Sequence, residues 1–412
     1  MTERRSGTKA RKDHALLWPA LLAMTAVQAI VAVGIFGLGI AAPLIGLPVS
    51  QLGWLNALIF ALGAVGAAQA GTLCQRWGAI RVAAGCVFCV LLASLLLCLP
   101  ASLAVWPAAL LLGLAFGPET PASSASLVRV CTPAQRSWVI ALRQTGNQWG
   151  AMAASLCLPW LLANSRSSGF GLIALLCLLL TASLLLTRLR SIDAIQLAEP
   201  APDLSQALRP TLAAQWRTAG MPALLALAAS YAAMQIAVNG FAFSFLVSTL
   251  GFAPALAGAL LACAQGAGLL ARILLSAWAR NTDSTALALG LMGPGIALSI
   301  GAVSGLPGQA GGGLPLPLIF ALMFLSGFLV SGWNGLLLAE LSRLAGPART
   351  AAWTGATMSV SYTGLLAAPL LFALAGTHLR YCYLFLALLC AASGLAVLLT
   401  HPTIRRQAGA RS

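Results

Sequence analysis

Twelve stretches of about twenty mostly apolar residues follow one another along the chain, at 16–40, 52–73, 79–99, 105–127, 138–162, 169–187, 221–247, 254–278, 285–304, 316–340, 352–374 and 380–400. A helix rises about 1.5 Å per residue, so about 20 apolar residues cross the roughly 30 Å of hydrocarbon in a bilayer. The pattern predicts twelve transmembrane helices. The longest polar break runs from Arg188 to Gly220 and holds Asp193, Glu199 and Asp203 with Pro200, Pro202 and Pro210. The expected fold is therefore all-α and membrane-embedded, twelve helices in two pseudo-symmetric six-helix bundles at 16–187 and 221–400. A linker at 188–220 joins the bundles, and short tails at 1–15 and 401–412 flank them. Arg4, Arg5, Lys9, Arg11 and Lys12 precede the first apolar run. That run is too long for the core of a signal peptide and reads as a retained first span.

Composition agrees with this pattern. Of the 412 residues, 60% are hydrophobic and 8% charged, and mean hydropathy is +0.92. A soluble domain carries roughly 25% charged residues, so this chain cannot cover a water-facing surface and must face lipid. The net charge of +15 does not mark a nucleic-acid partner, because the basic residues come as ones and twos with no clustered patch. Lys and Arg accumulate instead in cytoplasmic loops. With both termini in the cytoplasm, Arg166 and Arg380 alone fall in outward loops, Arg143 and Arg272 fall inside helices, and the remainder face the cytoplasm. The bacterial inner membrane is the expected location, with the lipid bilayer as partner and a monomer as the working form. The ten cysteines are scattered, mostly inside apolar runs. Cys86 and Cys89 read as packing residues, and neither a disulfide framework nor a metal site is expected.

The halves carry a faint internal repeat. Arg129 and Pro133 follow the fourth span as Arg343 and Pro347 follow the tenth, each pair 214 positions apart. In the same register Gly117 and Pro118 match Ser331 and Gly332. A duplicated six-helix unit accounts for that placement.

After the second span the chain reads Gly71-Thr-Leu-Cys-Gln-Arg-Trp-Gly78-Ala-Ile-Arg81. This resembles the signature loop of the major facilitator superfamily, Gly-x-Leu-x-Asp-Arg-x-Gly-x-x-Arg. Gly71 would permit close helix approach, Arg76 and Arg81 are its basic positions, and Gly78 would form the turn into the third helix. Gln75 stands where the pattern has an acid, so a charged latch there must be weaker or differently made. The counterpart at Ser276-Ala-Trp-Ala-Arg280 is more degenerate. Gly117-Pro-Glu-Thr-Pro-Ala-Ser-Ser124, Arg143-Gln-Thr-Gly146, Gly332-Trp-Asn-Gly335 and Ala339-Glu340-Leu-Ser-Arg343 look like a bacterial permease subgroup of that superfamily. The resemblance implies paired halves with a substrate site near the membrane midplane.

Two of the eight acids fall inside spans, Glu119 and Glu340. An ionised carboxylate at membrane depth costs roughly 2.5–3.5 kcal/mol on insertion scales and needs pairing, protonation or water. Glu119 lies about 12 Å from the cytoplasmic end of its helix and Arg143 about 7 Å, by rise per residue. The two are expected to approach one another, either as a structural pair between helices four and five or as a proton-coupling site lining the path. Arg272 is a second buried cation, and a planar guanidinium suits carboxylate and phosphate. With Arg143 it would let two cations face a shared cavity, unless it snorkels to the helix end. Glu340 and Arg343, three apart on one helix face, read with Gly71, Arg76, Gly78 and Arg81 as gating residues. Gln28, Asn56, Gln144, Asn147, Gln148, Gln235, Asn239, Gln265 and Asn334 are candidates for a polar cavity or for inter-helix glue. Of these, Gln28, Asn147, Gln235, Asn239 and Asn334 are taken with Arg143 and Arg272 as substrate ligands.

No Walker loop and no catalytic cluster occurs, so neither an ATPase nor an enzyme is expected, and no cofactor is called for. Gly146 and Gly150 begin a drug-antiporter pattern that Ala151 breaks. The expectation is a secondary transporter for a small-molecule substrate, an organic anion, coupled to protons by Glu119. Its rival is proton-coupled efflux of a drug, siderophore or metabolite.

Overall fold

The computed structural model describes residues 16–100, 102–132, 135–194, 204–282, 284–308, 313–346 and 349–409. The N-terminal tail 1–15, Pro133 and Pro347 of the repeat, and Glu199, Pro200, Pro202 and Asp203 of the linker lie outside the described residues. In chain order the helices are α1 (Leu17–Leu44), α2 (Val49–Trp77), α3 (Ala79–Leu97), α4 (Val105–Val128), α5 (Arg136–Gln144), α6 (Gly146–Asn164) and α7 (Arg166–Leu186). Then follow α8 (Leu204–Trp216), α9 (Met221–Ser244), α10 (Pro254–Ala279), α11 (Ala286–Ser304), α12 (Leu316–Ala345), α13 (Thr350–Ala375) and α14 (Leu379–Gly409). A wide π turn, Phe245–Thr249, extends α9.

Among the described residues, ten helices are long and apolar enough to cross a membrane. Two of the twelve expected spans fall short of that measure. In α4 the run is diluted by Pro118, Glu119 and Pro121. The fifth span, expected unbroken over 138–162, is divided into α5 and α6 at Thr145. There the Thr145 hydroxyl donates to the Leu142 carbonyl at 2.6 Å, and the Thr145 amide bonds the same carbonyl. A hydroxyl that competes for helical carbonyls tightens the turn.

Two more differences have plain causes. The stretch expected as a linker carries α8, whose Gln215 is fully buried and donates to the Trp353 carbonyl (2.9 Å) and the Thr357 hydroxyl (3.1 Å). Most of the stretch expected as a tail after residue 400 continues α14, because Ile404 is buried against Gly220 in the turn before α9.

The chain forms two compact units, one of Met1–Gly37 with Leu58–Ala201 and one of Leu38–Ala57 with Pro202–Ser412. Within the first, α3 packs on α4 and α7, α1 on α6, and α2 on α4. Within the second, α11 packs on α12 and α14, α9 on α13, and α10 on α12. The pairing is the same in both. Its tightest points are glycines: a Cβ on Gly150 would fall on the Ala29 carbonyl, and one on Gly364 on the Ala229 carbonyl. One on Gly113 would lie 3.0 Å from the Ile59 carbonyl, and one on Gly327 would fall on that of Ala264. Gly113 and Gly327, like Gly150 and Gly364, stand 214 positions apart, the spacing of Arg129 and Arg343. In lipid, where no water-driven force joins helices, such small-residue approaches hold a bundle together.

Gly364→Leu and Gly150→Leu should each lower the thermal unfolding midpoint of the purified protein, at an overpacking cost of about 1–3 kcal/mol or more. Gly171→Leu, where a Cβ meets nothing within 4 Å, should unfold like the wild type. Equal midpoints for all three variants would contradict the packing role.

Candidate functional site

The sequence places one acid between two prolines in α4. Proline lacks an N–H, so Pro118 and Pro121 leave the carbonyls of Leu114 and Gly117 without helical donors. Glu119 is 3% exposed. Its Oε1 accepts from the Ser123 hydroxyl at 3.0 Å and from Arg143 Nη1 at 3.1 Å, and its Oε2 accepts from the Thr120 hydroxyl at 2.8 Å. The approach expected from helix heights is made. Arg143 is fully buried, at 0% exposure, one residue before the helix ends. Its Nε and Nη2 lie buried without a hydrogen-bond partner. One nitrogen of the guanidinium thus holds Glu119, and the edge formed by the other two N–H-bearing nitrogens is unused. That edge is the two-donor fork that carboxylates and phosphates accept.

Nearby, Gln28 of α1 lies against Gly146, one turn beyond Arg143, where a Cβ would come 3.2 Å from the Gln28 Cβ. Its Oε1 is likewise buried without a partner. Asn147 donates to Gln148 at 2.9 Å.

In the other unit the candidate amides pair among themselves. Asn334 donates to Gln235 at 3.3 Å and Gln265 to Asn239 at 2.9 Å. Arg272 of α10 keeps a buried Nε without a partner, and no carboxylate of the described residues forms an ion pair with it. Trp333, 2% exposed, meets Tyr231 edge-on at 6.1 Å between centroids, and its indole Nε1 has no partner. The Tyr231 hydroxyl donates to the Leu289 carbonyl at 2.8 Å.

Glu340 and Arg343 pair at 3.2 Å, and Glu340 is completely buried. Its Oε2 accepts from the Thr285 amide (2.6 Å) and hydroxyl (2.9 Å), and its Oε1 from the Ser284 hydroxyl (3.1 Å). Arg343 Nη2 donates to the Ala279 carbonyl at 2.6 Å. The pair thus caps the start of α11 and ties it to the end of α10.

The first unit has the same device from a different source. Gly78, at φ +93°, turns the chain into α3 as expected and carries no capping side chain. The cap comes from Asp193, beyond the sixth span. Its Oδ1 accepts from the Ile80 amide at 2.8 Å and its Oδ2 from the Arg81 amide at 3.4 Å. Arg129 lies 3.8 Å from Asp193 and donates to the carbonyls of Ile192 (3.3 Å) and Asp193 (3.2 Å). Asp193 therefore supplies the acid that Gln75 withholds. In the sequence Asp193 stands in the polar stretch after the sixth span, and the missing acid at Gln75 carries no spacing that locates its replacement. Gly71 departs from expectation, since a Cβ there would meet nothing within 4 Å. It lies on an exposed stretch of α2, so no close helix approach is made at it. Arg76 and Arg81 are exposed beside this turn.

Buried polar pairs and capped turns in two like-built units of long apolar helices define a multi-pass membrane protein. The sequence matches the Major Facilitator Superfamily over residues 21–369, and the chain belongs to that superfamily; it is a transporter and not an enzyme. Solved structures share the fold. A peptide transporter of the POT type in complex with sulfate matches with a TM-score of 0.68 at 16% identity, covering 94% of this chain and 95% of that one. A D-xylose–proton symporter matches at 0.68 and 12%, covering 92% and 97%. A bacterial homologue of the human lysosomal transporter Spinster, inward-facing and unoccupied, matches at 0.64 and 15%, covering 95% and 97%. No functionally curated protein matches the sequence.

Asp193→Ala should cost about 1–2 kcal/mol of stability, the usual worth of a helix N-cap. Asp193→Asn, which keeps an acceptor, should lose less, and chemical unfolding followed by tryptophan fluorescence separates the two. No loss in the alanine variant would remove Asp193 as the cap of α3.

Proposed function

We propose that the chain is a secondary active transporter of the bacterial inner membrane, with both termini cytoplasmic, that moves a small organic anion by alternating access coupled to protons. The observation that carries this reading is the buried Glu119–Arg143 pair with its unused guanidinium edge. A buried arginine whose Nε and Nη2 lack acceptors is costly to leave unmade, and a substrate carboxylate satisfies both at once. A buried carboxylate that loses its cation is driven toward its neutral form. Binding of the anion to Arg143 would compete with Glu119 for the same charge and favour a proton on Glu119, which links substrate to proton movement. The peptide and xylose neighbours share the fold; the second is named as a proton symporter, which is in keeping with proton coupling, and neither bears on the substrate. Arg272, with its free Nε, is a further cation for the same class of solute.

The test is flux in proteoliposomes, screening short carboxylates and cationic dyes with and without a pH gradient. Carboxylate movement should follow the gradient in the wild type and be lost in Arg143→Ala. Glu119→Gln should insert and purify normally yet lose the pH-driven component. Ordinary pH-driven flux in Glu119→Gln would take Glu119 out of the mechanism. Extrusion of dyes with no carboxylate flux would replace this reading with proton-coupled efflux.

A further inference from the structure

At the end of the first unit where α2 turns into α3, the surface opens into a cleft of about 390 Å³, within the range of small-ligand pockets. Arg76 and Arg81 of the turn, Arg129 at the end of α4, and Arg190 after α7 line it. Asp193 is the one carboxylate among the lining residues. Its oxygens are already engaged by the Ile80 and Arg81 amides and by Arg129. Among the described residues no carboxylate forms an ion pair with Arg76, Arg81 or Arg190. The cleft therefore has a surplus of positive charge that nothing in its walls offsets.

The site is also organised. Two backbone carbonyls fix the Arg129 guanidinium, its side chain is 13% exposed, and its buried Nε has no partner. A carboxylate offers two oxygens and one charge. A free phosphate offers four acceptor oxygens and as much as about two charges, and a phosphodiester headgroup offers two anionic oxygens with two ester oxygens beside them, so either gives several guanidiniums arriving from three elements more acceptors than a carboxylate does. Trp77, about half exposed, stands at this end of α2 with Arg76 6.0 Å from its ring centre. Tryptophan in that position is typical of the level where lipid headgroups lie.

We propose that this cleft binds a phosphate group through Arg76, Arg81, Arg129 and Arg190. The group would bridge the α2–α3 turn, the end of α4 and the short 3-10 turn Arg188–Ala194 that carries Asp193, and so reinforce the joint that Asp193 caps. Two sources share this chemistry, a phospholipid headgroup and a soluble phosphate.

The experiment uses the purified full-length protein in neutral detergent. One arm adds phosphatidylglycerol or phosphatidylcholine and counts retained lipid by native mass spectrometry. The other adds inorganic phosphate or chloride at equal ionic strength and reads the unfolding midpoint. Arg76→Gln with Arg190→Gln should weaken binding by roughly tenfold per arginine, the worth of one charge-assisted contact. Arg188→Gln with Arg217→Gln removes the same charge from exposed positions outside the cleft and should bind like the wild type. Retention of phosphatidylglycerol without a phosphate effect assigns the site to a headgroup, and the reverse assigns it to a soluble phosphate. If the cleft variant folds poorly, phenylglyoxal labelling of Arg76 and Arg190 in the wild type replaces it, with protection by the bound group expected. Equal loss in both double variants, no binding by the wild type in either arm, or no protection from labelling would each overturn the proposal.

Discussion

A charge inside hydrocarbon has to be answered by the protein, because lipid cannot hydrate it. Both buried carboxylates of the described residues meet that constraint. Glu119 is met by two hydroxyls and one guanidinium nitrogen, and Glu340 by two hydroxyls, a backbone amide and Arg343. The two sites solve the same problem differently. Glu340 spends its acceptors on a helix start and a neighbouring arginine, which leaves it no freedom and suits a fixed joint. Glu119 is held by short hydroxyl contacts from its own helix, while its cation keeps a free edge. A pair in which one partner is unsatisfied is poised to exchange it, and the proposed coupling rests there.

The internal repeat sharpens this contrast. The 214-position register pairs the glycines that set helix approach and the arginines, Arg129 and Arg343, that clamp the capped turns. Architecture has been kept in duplicate. The chemistry has not: in that register Glu119 corresponds to Trp333 and Arg143 to Thr357. Trp333 is a buried aromatic against Tyr231, and Thr357 is occupied by Gln215. The acid–base pair is therefore a property of the first unit alone. The carboxylate caps show an intermediate case, the same function at α3 and α11 performed by acids from unrelated positions.

Much of the fold was legible because lipid imposes a simple code, about twenty apolar residues per crossing. Heights counted along helices placed Glu119 near Arg143, since an antiparallel pair with known ends leaves little freedom. The turn at Gly78 was legible because a left-handed backbone needs glycine. Partnerships across long sequence distance were not. Asp193 lies 113 residues from the amide it caps, and nothing in its surroundings announces that contact. Gln215 looked like a linker residue, and its burial follows only from the docking of α8 on α13. The break at Thr145 is a single turn in which the backbone amide bonds the carbonyl three residues back instead of four, a local shift that composition does not mark. Gly71 was assigned a packing role from its place in a motif, and the structure leaves open space around it.

The central claim, that Glu119 exchanges a proton as Arg143 exchanges its partner, can be observed without transport. Only Glu119 and Glu340 are buried carboxylates among the described residues, so infrared difference spectroscopy of the purified protein has few bands to resolve. Addition of a transported carboxylate should raise the carbonyl stretch of a protonated acid, and that band should be absent in Glu119→Gln. A substrate-induced band that survives in Glu119→Gln, or no such band at any pH where flux occurs, would contradict the account.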